Sequence, residues 1–244
     1  MILAYIIAFT LIGSIFSLFG SLFLLLKQNI TQAFSNKLIS FAAGALIAAA
    51  FLDLLPEASE LAQDADIFLP AFLGFLSFFF AEKYIRLFHY HHGHGEKPST
   101  FLVLIGDGVH NFVDGVTIAV AFLASIPLGI TTTIAVAAHE IPQEIADMGV
   151  LLANGLSKTR ALFFNFLSAA TALLGAIIAF TIAGQIEKYL YLFLAIAAGH
   201  FIYIAASDLI PELHEKENGR KNIDTLLMFI LGIFVIFGAK FIFE

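Results

Sequence analysis

The hexapeptides His110-Asn111-Phe112-Val113-Asp114-Gly115 and His139-Glu140-Ile141-Pro142-Gln143-Glu144 decide the reading of this chain, because each sits near the middle of a long apolar run. An ionisable side chain at the centre of such a run is costly and marks a functional site by default. Wound as a helix at about 100° per residue, the first run carries Asp107, His110, Asn111 and Asp114 within an arc of roughly 100°. The second carries His139, Glu140, Gln143, Glu144 and Asp147 within roughly 140°. Two polar stripes surrounded by lipid have to face each other.

The rest of the composition agrees with that setting. Of 244 residues, 60% are hydrophobic and 13% charged, and the mean hydropathy is +0.93, values of a polytopic membrane protein rather than a soluble domain. There is no cysteine, so thiolate ligands and disulfides are excluded, and a metal would be held by imidazole, carboxylate and amide groups. The net charge is −7 with no Lys/Arg block, which excludes a nucleic-acid partner. Residues 2–26 lack a positive leading segment and a small-residue cleavage site, and read as a retained span.

A span needs about 20 apolar residues, and on that criterion eight lie at roughly 2–26, 38–59, 67–88, 99–125, 128–153, 159–184, 189–212 and 223–243. The fold class is therefore all-α, one transmembrane domain over 1–244. Of the 12 Lys and Arg residues, ten lie in the loops after spans one, three, five and seven. Basic residues stay on the cytoplasmic side of short loops, so both termini are expected to be extracytoplasmic, in a multi-pass cell membrane protein.

An internal repeat is visible. Ala42 to Glu57 reads AAGALIAAAFLDLLPE and Ala197 to Glu212 reads AAGHFIYIAASDLIPE, with nine identities in sixteen and no gap. Asp53 matches Asp208, Pro56 matches Pro211 and Glu57 matches Glu212. The two segments run in opposite senses across the membrane, so spans one to three and six to eight form inverted repeats around spans four and five. That 3+2+3 plan is the signature of secondary transporters with a midplane site. The acidic pairs Asp53/Glu57 and Asp208/Glu212, the latter followed by His214, would mark the outer and inner ends of one path.

His110 and His139 each lie about eleven residues into their spans, about 16 Å deep and halfway through a roughly 30 Å core. His110 and Asp114 are spaced i, i+4, as are His139 and Gln143, giving each helix a two-point grip. Such mixed imidazole, carboxylate and carboxamide donors suit Zn(II), Fe(II) or Mn(II). Pro142 is expected to free the Ala138 carbonyl and bend its helix, and Gly106, Gly108 and Gly115 to let another backbone approach. A purely structural polar network would need one or two Ser or Asn groups, not this many ionisable ones. A proton-conducting bundle would use the carboxylates and His but leave Asn111 and Gln143 without a role. An intramembrane zinc metalloprotease is suggested by His-Glu-x-x, but Gln143 stands where the second His belongs. Residues 89–98 form a cytoplasmic loop whose His89, His91, His92 and His94 are suited to loose metal capture. His200 reads as a packed polar residue.

The motifs H-N-F-x-D-G and H-E-I-P-x-E, the eight outward-ended spans and the His-containing loop resemble the ZIP (ZRT/IRT-like) metal transporter family. What the resemblance implies is import of Zn(II), with Fe(II), Mn(II) or Cd(II) as further cargo, through a binuclear centre between spans four and five, with no enzymatic activity and no organic cofactor. One metal position would use His110, Asp114, His139 and Gln143, and its neighbour Asn111, Glu140 and Gln143. Asn165 matches a position where some relatives supply a further ligand, and Glu144 shares the polar face. Many relatives have His where Gln143 and Asp53 stand, which bears on ion preference and on the outer mouth. The partners implied are divalent metal ions, the lipid bilayer and a second copy in a homodimer, which no feature of the sequence itself specifies.

Overall fold

The computed structural model describes residues 1–26, 32–90, 100–211, 213 and 223–243. These residues form eight long helical segments and, among them, no strand. Backbone in hydrocarbon must satisfy its own hydrogen bonds, and helices do so within each segment. Helix α1 is Ile2–Leu26. Helix α2 runs through Gln32–Ala48, Ala49–Leu54 and Leu55–Ala62. Helices α3 to α6 are Phe68–Tyr90, Thr100–Ala124, Ile126–Ala153 and Lys158–Thr181. After two short turns, α7 runs through Leu190–Tyr203 and Ile204–Leu209, and α8 is Ile223–Phe243.

Six of the eight are long and apolar enough to cross a membrane on composition alone. The other two are α3, whose apolar part is the shorter Phe68–Ala81, and α5, whose His139, Glu140, Glu144 and Asp147 lower its hydropathy. At 28 residues α5 is nevertheless about 42 Å long, more than a bilayer core. Only Ser125 separates α4 from α5; its side chain accepts from Leu128 N–H and Pro127 fills the first turn, a start that needs no longer loop. Pro142 lies inside α5 without ending it.

The main packing pairs are α4 with α6, α1 with α5, α2 with α8 and α3 with α7. Exchanging one with six, two with seven, three with eight and four with five maps these pairs onto each other. Small residues make the contacts symmetric in detail. A Cβ on Gly44 would overlap the Phe229 carbonyl, and one on Gly232 the Phe41 carbonyl. In the other half, a Cβ on Gly199 would overlap the Ala71 carbonyl and one on Gly74 the Ile196 carbonyl. The repeat thus brings backbones together at equivalent places, as small residues do between membrane helices.

A further correspondence is one the repeat's shared proline foreshadows. Ala49–Leu54 and Ile204–Leu209 are both π-helical, and the next residues, Leu55 and Ile210, donate to the Ala50 and Ala205 carbonyls. Pro56 and Pro211 have no N–H and would clash with the carbonyl four residues earlier in a regular α-helix. Widening the turn relieves the clash, and Asp53 and Asp208 sit within the widened stretch. Gly199→Val should destabilise the bundle by about 1–3 kcal/mol through overpacking, seen as a lower melting temperature in detergent, whereas an equal change at Gly184, which has open space, should not.

Candidate metal centre

Helices α4 and α5 bring His110, Asp114, His139 and Glu140 together, with one ligand atom from each lying within 4.8 Å of all the others. The His110 and His139 Nε2 atoms are 3.2 Å apart. Asp114 Oδ2 lies 3.7 Å from His110 Nε2 and 3.1 Å from His139 Nε2. Glu140 Oε1 lies 3.3 Å and 3.6 Å from the same two atoms. A tetrahedral ion with ligands at about 2.0–2.1 Å has edges of about 3.3–3.4 Å, a spacing close to these five separations, so the four side chains could hold a metal. No residue of the four is more than 9% exposed.

The orientation of the rings supports that assignment. His139 Nδ1 lies 3.1 Å from the Ala135 carbonyl, and a carbonyl can only accept, so Nδ1 carries the proton and Nε2 keeps its lone pair for the centre. The His110 ring meets Phe78 edge-on with centroids 5.4 Å apart, and His139 meets Phe201 at 6.0 Å. These apolar walls hold the rings and narrow the room for water. Glu140 Oε2 accepts no hydrogen bond among the described residues, an expensive state for a buried carboxylate that a cation would relieve.

Asn111 and Gln143, both in the ligand sets that the resemblance implied, share one hydrogen-bond partner through their amide nitrogens. Asn111 Nδ2 donates to Asp107 Oδ1 at 2.9 Å, and Gln143 Nε2 donates to the same oxygen at 3.3 Å. Glu140, assigned to the neighbouring position, stands in the first cluster instead. The geometry is the reason: Gln143 is one turn beyond His139 on α5 and faces the turn of α4 that carries Asp107. Asp107 belongs to the polar arc of α4 but was not in the ligand set, and its spacing of i, i+4 to Asn111 was the available signal.

Helix α6 braces the pair from behind. Asn165 donates to the Glu144 carbonyl at 3.4 Å, Ser168 to the Leu104 carbonyl at 3.3 Å and Thr171 to the Gly108 carbonyl at 2.6 Å. Glu144 and Asn165 are fully buried at that contact. Among the glycines expected to allow a close approach, Gly115 does so, since its Cβ would overlap the Ala172 carbonyl. Asp53 is buried and lies beside Lys240, while Glu57 and Asp208 are half-buried. His200 contacts Ser77 Oγ at 3.0 Å and the Phe78 ring, as a packed polar residue. His89 falls in the last turn of α3; His91, His92, His94, Glu212 and His214 lie outside the described residues.

Residues 89–240, more than half of the chain, match a family model described as ZIP zinc transporter. A mouse protein named zinc transporter ZIP10 is 44% identical over 114 residues, 46% of this chain and 14% of the relative. Mouse metal cation symporter ZIP14 is 41% identical over 133 residues, 54% of this chain and 27% of the relative. The Drosophila melanogaster zinc transporter foi is 36% identical over 135 residues, 54% of this chain and 18% of the relative. The matched region is thus a minor part of each relative's length.

The four-atom cluster makes a prediction of its own. His110→Ala and Glu140→Gln each remove one member of the shell, and each should weaken zinc binding by more than the about 10–100-fold that loss of an orienting partner costs. Titration calorimetry on purified protein measures this; an unchanged affinity in either variant would remove that residue from the centre.

Proposed function

Because the chain belongs to the ZIP zinc transporter family, we propose that it moves divalent cations, Zn(II) first among them, across the membrane into the cytoplasm. The single observation that carries this reading is the buried cluster of two imidazoles and two carboxylates at the contact of α4 and α5. A site at that depth serves a solute that crosses, since a polar brace would not leave carboxylate oxygen without a donor. The segregation of basic residues to one side orients the chain with both termini outside, and inward direction is what the family resemblance implies. Fe(II), Mn(II) and Cd(II) are further candidates, because nitrogen and carboxylate oxygen donors accept them as well.

The centre is proposed to be binuclear. Glu140 Oε1 belongs to the four-atom cluster, and its second oxygen, with Asn111, Gln143 and Asp107 one turn away, supplies the donors of a neighbouring position. The outer carboxylate Asp53 and the inner pair Asp208 and Glu212 then mark the two ends of the route, in keeping with the inverted repeat. Glu140 acting as a ligand, and Gln143 held by Asp107, both speak against peptide hydrolysis at this site. A homodimer and a place in the cell membrane with both termini outside complete the reading.

Zinc influx into proteoliposomes, followed with an entrapped zinc-sensitive dye, tests it. Wild-type protein should give saturable influx and His110→Ala should reduce it to the level of empty vesicles; no influx with correctly inserted wild-type protein would overturn the proposal. Metal binding requires neutral His and ionised carboxylate, so protons compete. Influx should therefore fall as the external pH is lowered and protons take the ligand positions, and a flat profile would argue against imidazole ligands.

A further inference from the structure

Helices α2 and α8 are tied by two ion pairs, placed the same number of residues apart along both. At one end Lys37 Nζ lies 2.7 Å from Asp224 Oδ2, with the side chains 37% and 58% exposed. That is a solvated tie of little energetic consequence. At the other end Lys240 Nζ lies 3.5 Å from Asp53 Oδ1, and here the carboxylate side chain is 3% exposed and the lysine 28%. The two pairs differ in kind, because the second holds a charge buried in the widened stretch of α2 that packs against α5 and α7.

The lysine also reaches a backbone oxygen. Its Nζ donates to the Leu52 carbonyl at 2.8 Å. Pro56 removes the N–H that would serve Leu52 in a regular helix, so the repeat's proline creates the acceptor. A tight ammonium–carboxylate bond is about 2.7–2.9 Å, and the Asp53 contact is well beyond it. The result is a carboxylate and a freed carbonyl, both oxygen donors suited to a divalent cation, with a monovalent cation resting on them from the rim.

We infer that the Lys240 ammonium is a tethered cation occupying the outer mouth of the path, on Asp53 and the Leu52 carbonyl, and that an arriving divalent cation takes its place. The inference rests on the transport reading for its meaning, but not for its test. The lysine supplies the balancing charge beside the buried Asp53 carboxylate. The dication, with twice the charge, displaces the ammonium into the water that its side chain already reaches. Lys240 thereby sets how tightly the mouth holds external metal, and monovalent salt competes on the same terms.

Labelling of Lys240 with an amine-reactive reagent, read by mass spectrometry on purified full-length protein with and without zinc chloride, tests displacement directly. Zinc should accelerate labelling several-fold in the wild type and in His110→Ala, which lacks the central site, and should have no effect in Asp53→Asn. Unchanged labelling in the wild type would overturn the inference, as would an effect that vanishes in His110→Ala, since it would then come from the centre. In vesicles, Lys240→Gln should lower the KM for zinc by about fivefold, the worth of a partly exposed ion pair. The difference should shrink as salt rises and disappear when Asp53→Asn is added. A KM that rises or stays put, with a lower melting temperature, would make the pair a structural tie only. Absence of wild-type influx together with zinc-dependent labelling would instead overturn the transport reading and leave the Lys240 site standing.

Discussion

Two imidazoles and two carboxylates buried at one point between α4 and α5 are the constraint on which the rest of the molecule depends. Bringing His110, Asp114, His139 and Glu140 within 4.8 Å of one another in a bundle with lipid outside opposes the desolvation and mutual repulsion of the carboxylates. Backbone rigidity holds them there. The α4–α5 connection is a single residue, Ser125, and α6 adds Asn165, Ser168 and Thr171 as donors to carbonyls of α4 and α5. Phe78 and Phe201 fix the rings. What these restraints keep in place is a cluster that a dication would stabilise and that water alone would not.

The internal symmetry explains how such a site is framed from both sides. The α2–α8 contact through Gly44 and Gly232 repeats as the α7–α3 contact through Gly199 and Gly74. The π-helical turns at Ala49–Leu54 and Ile204–Leu209 repeat as well. Each turn is forced by a proline and each carries an aspartate, so backbone strain relief and the placing of a carboxylate are one event. Widened turns of this kind recur at functional sites. Symmetry breaks in the partners: Asp53 has Lys240 beside it, which gives that end of the repeat a charge balance of its own.

Much of this was legible in the residues. The 3.6-residue spacing of Asp107, His110 and Asp114 placed them on one face, the D-L-[LI]-P-E ending gave away the repeat, and the apolar run lengths located the helices. What escaped was everything that depends on which side chain wins a shared partner. Gln143 donates its amide N–H to Asp107 across the helix contact, which leaves its oxygen free to face a metal, and Glu140 stands within the same group as His110, Asp114 and His139. Lys240 lies 188 positions from Leu52 and one fewer from Asp53, and only packing reveals such a pair. The π turns were hidden because an isolated proline signals a break and not its geometry.

X-ray absorption at the zinc edge on protein loaded with one equivalent of zinc tests the central claim most directly. The account predicts a four-coordinate first shell of two imidazole nitrogens and two carboxylate oxygens at about 2.0–2.1 Å, with imidazole scattering halved in His110→Ala. A six-coordinate shell of oxygen alone, unchanged in that variant, would contradict it.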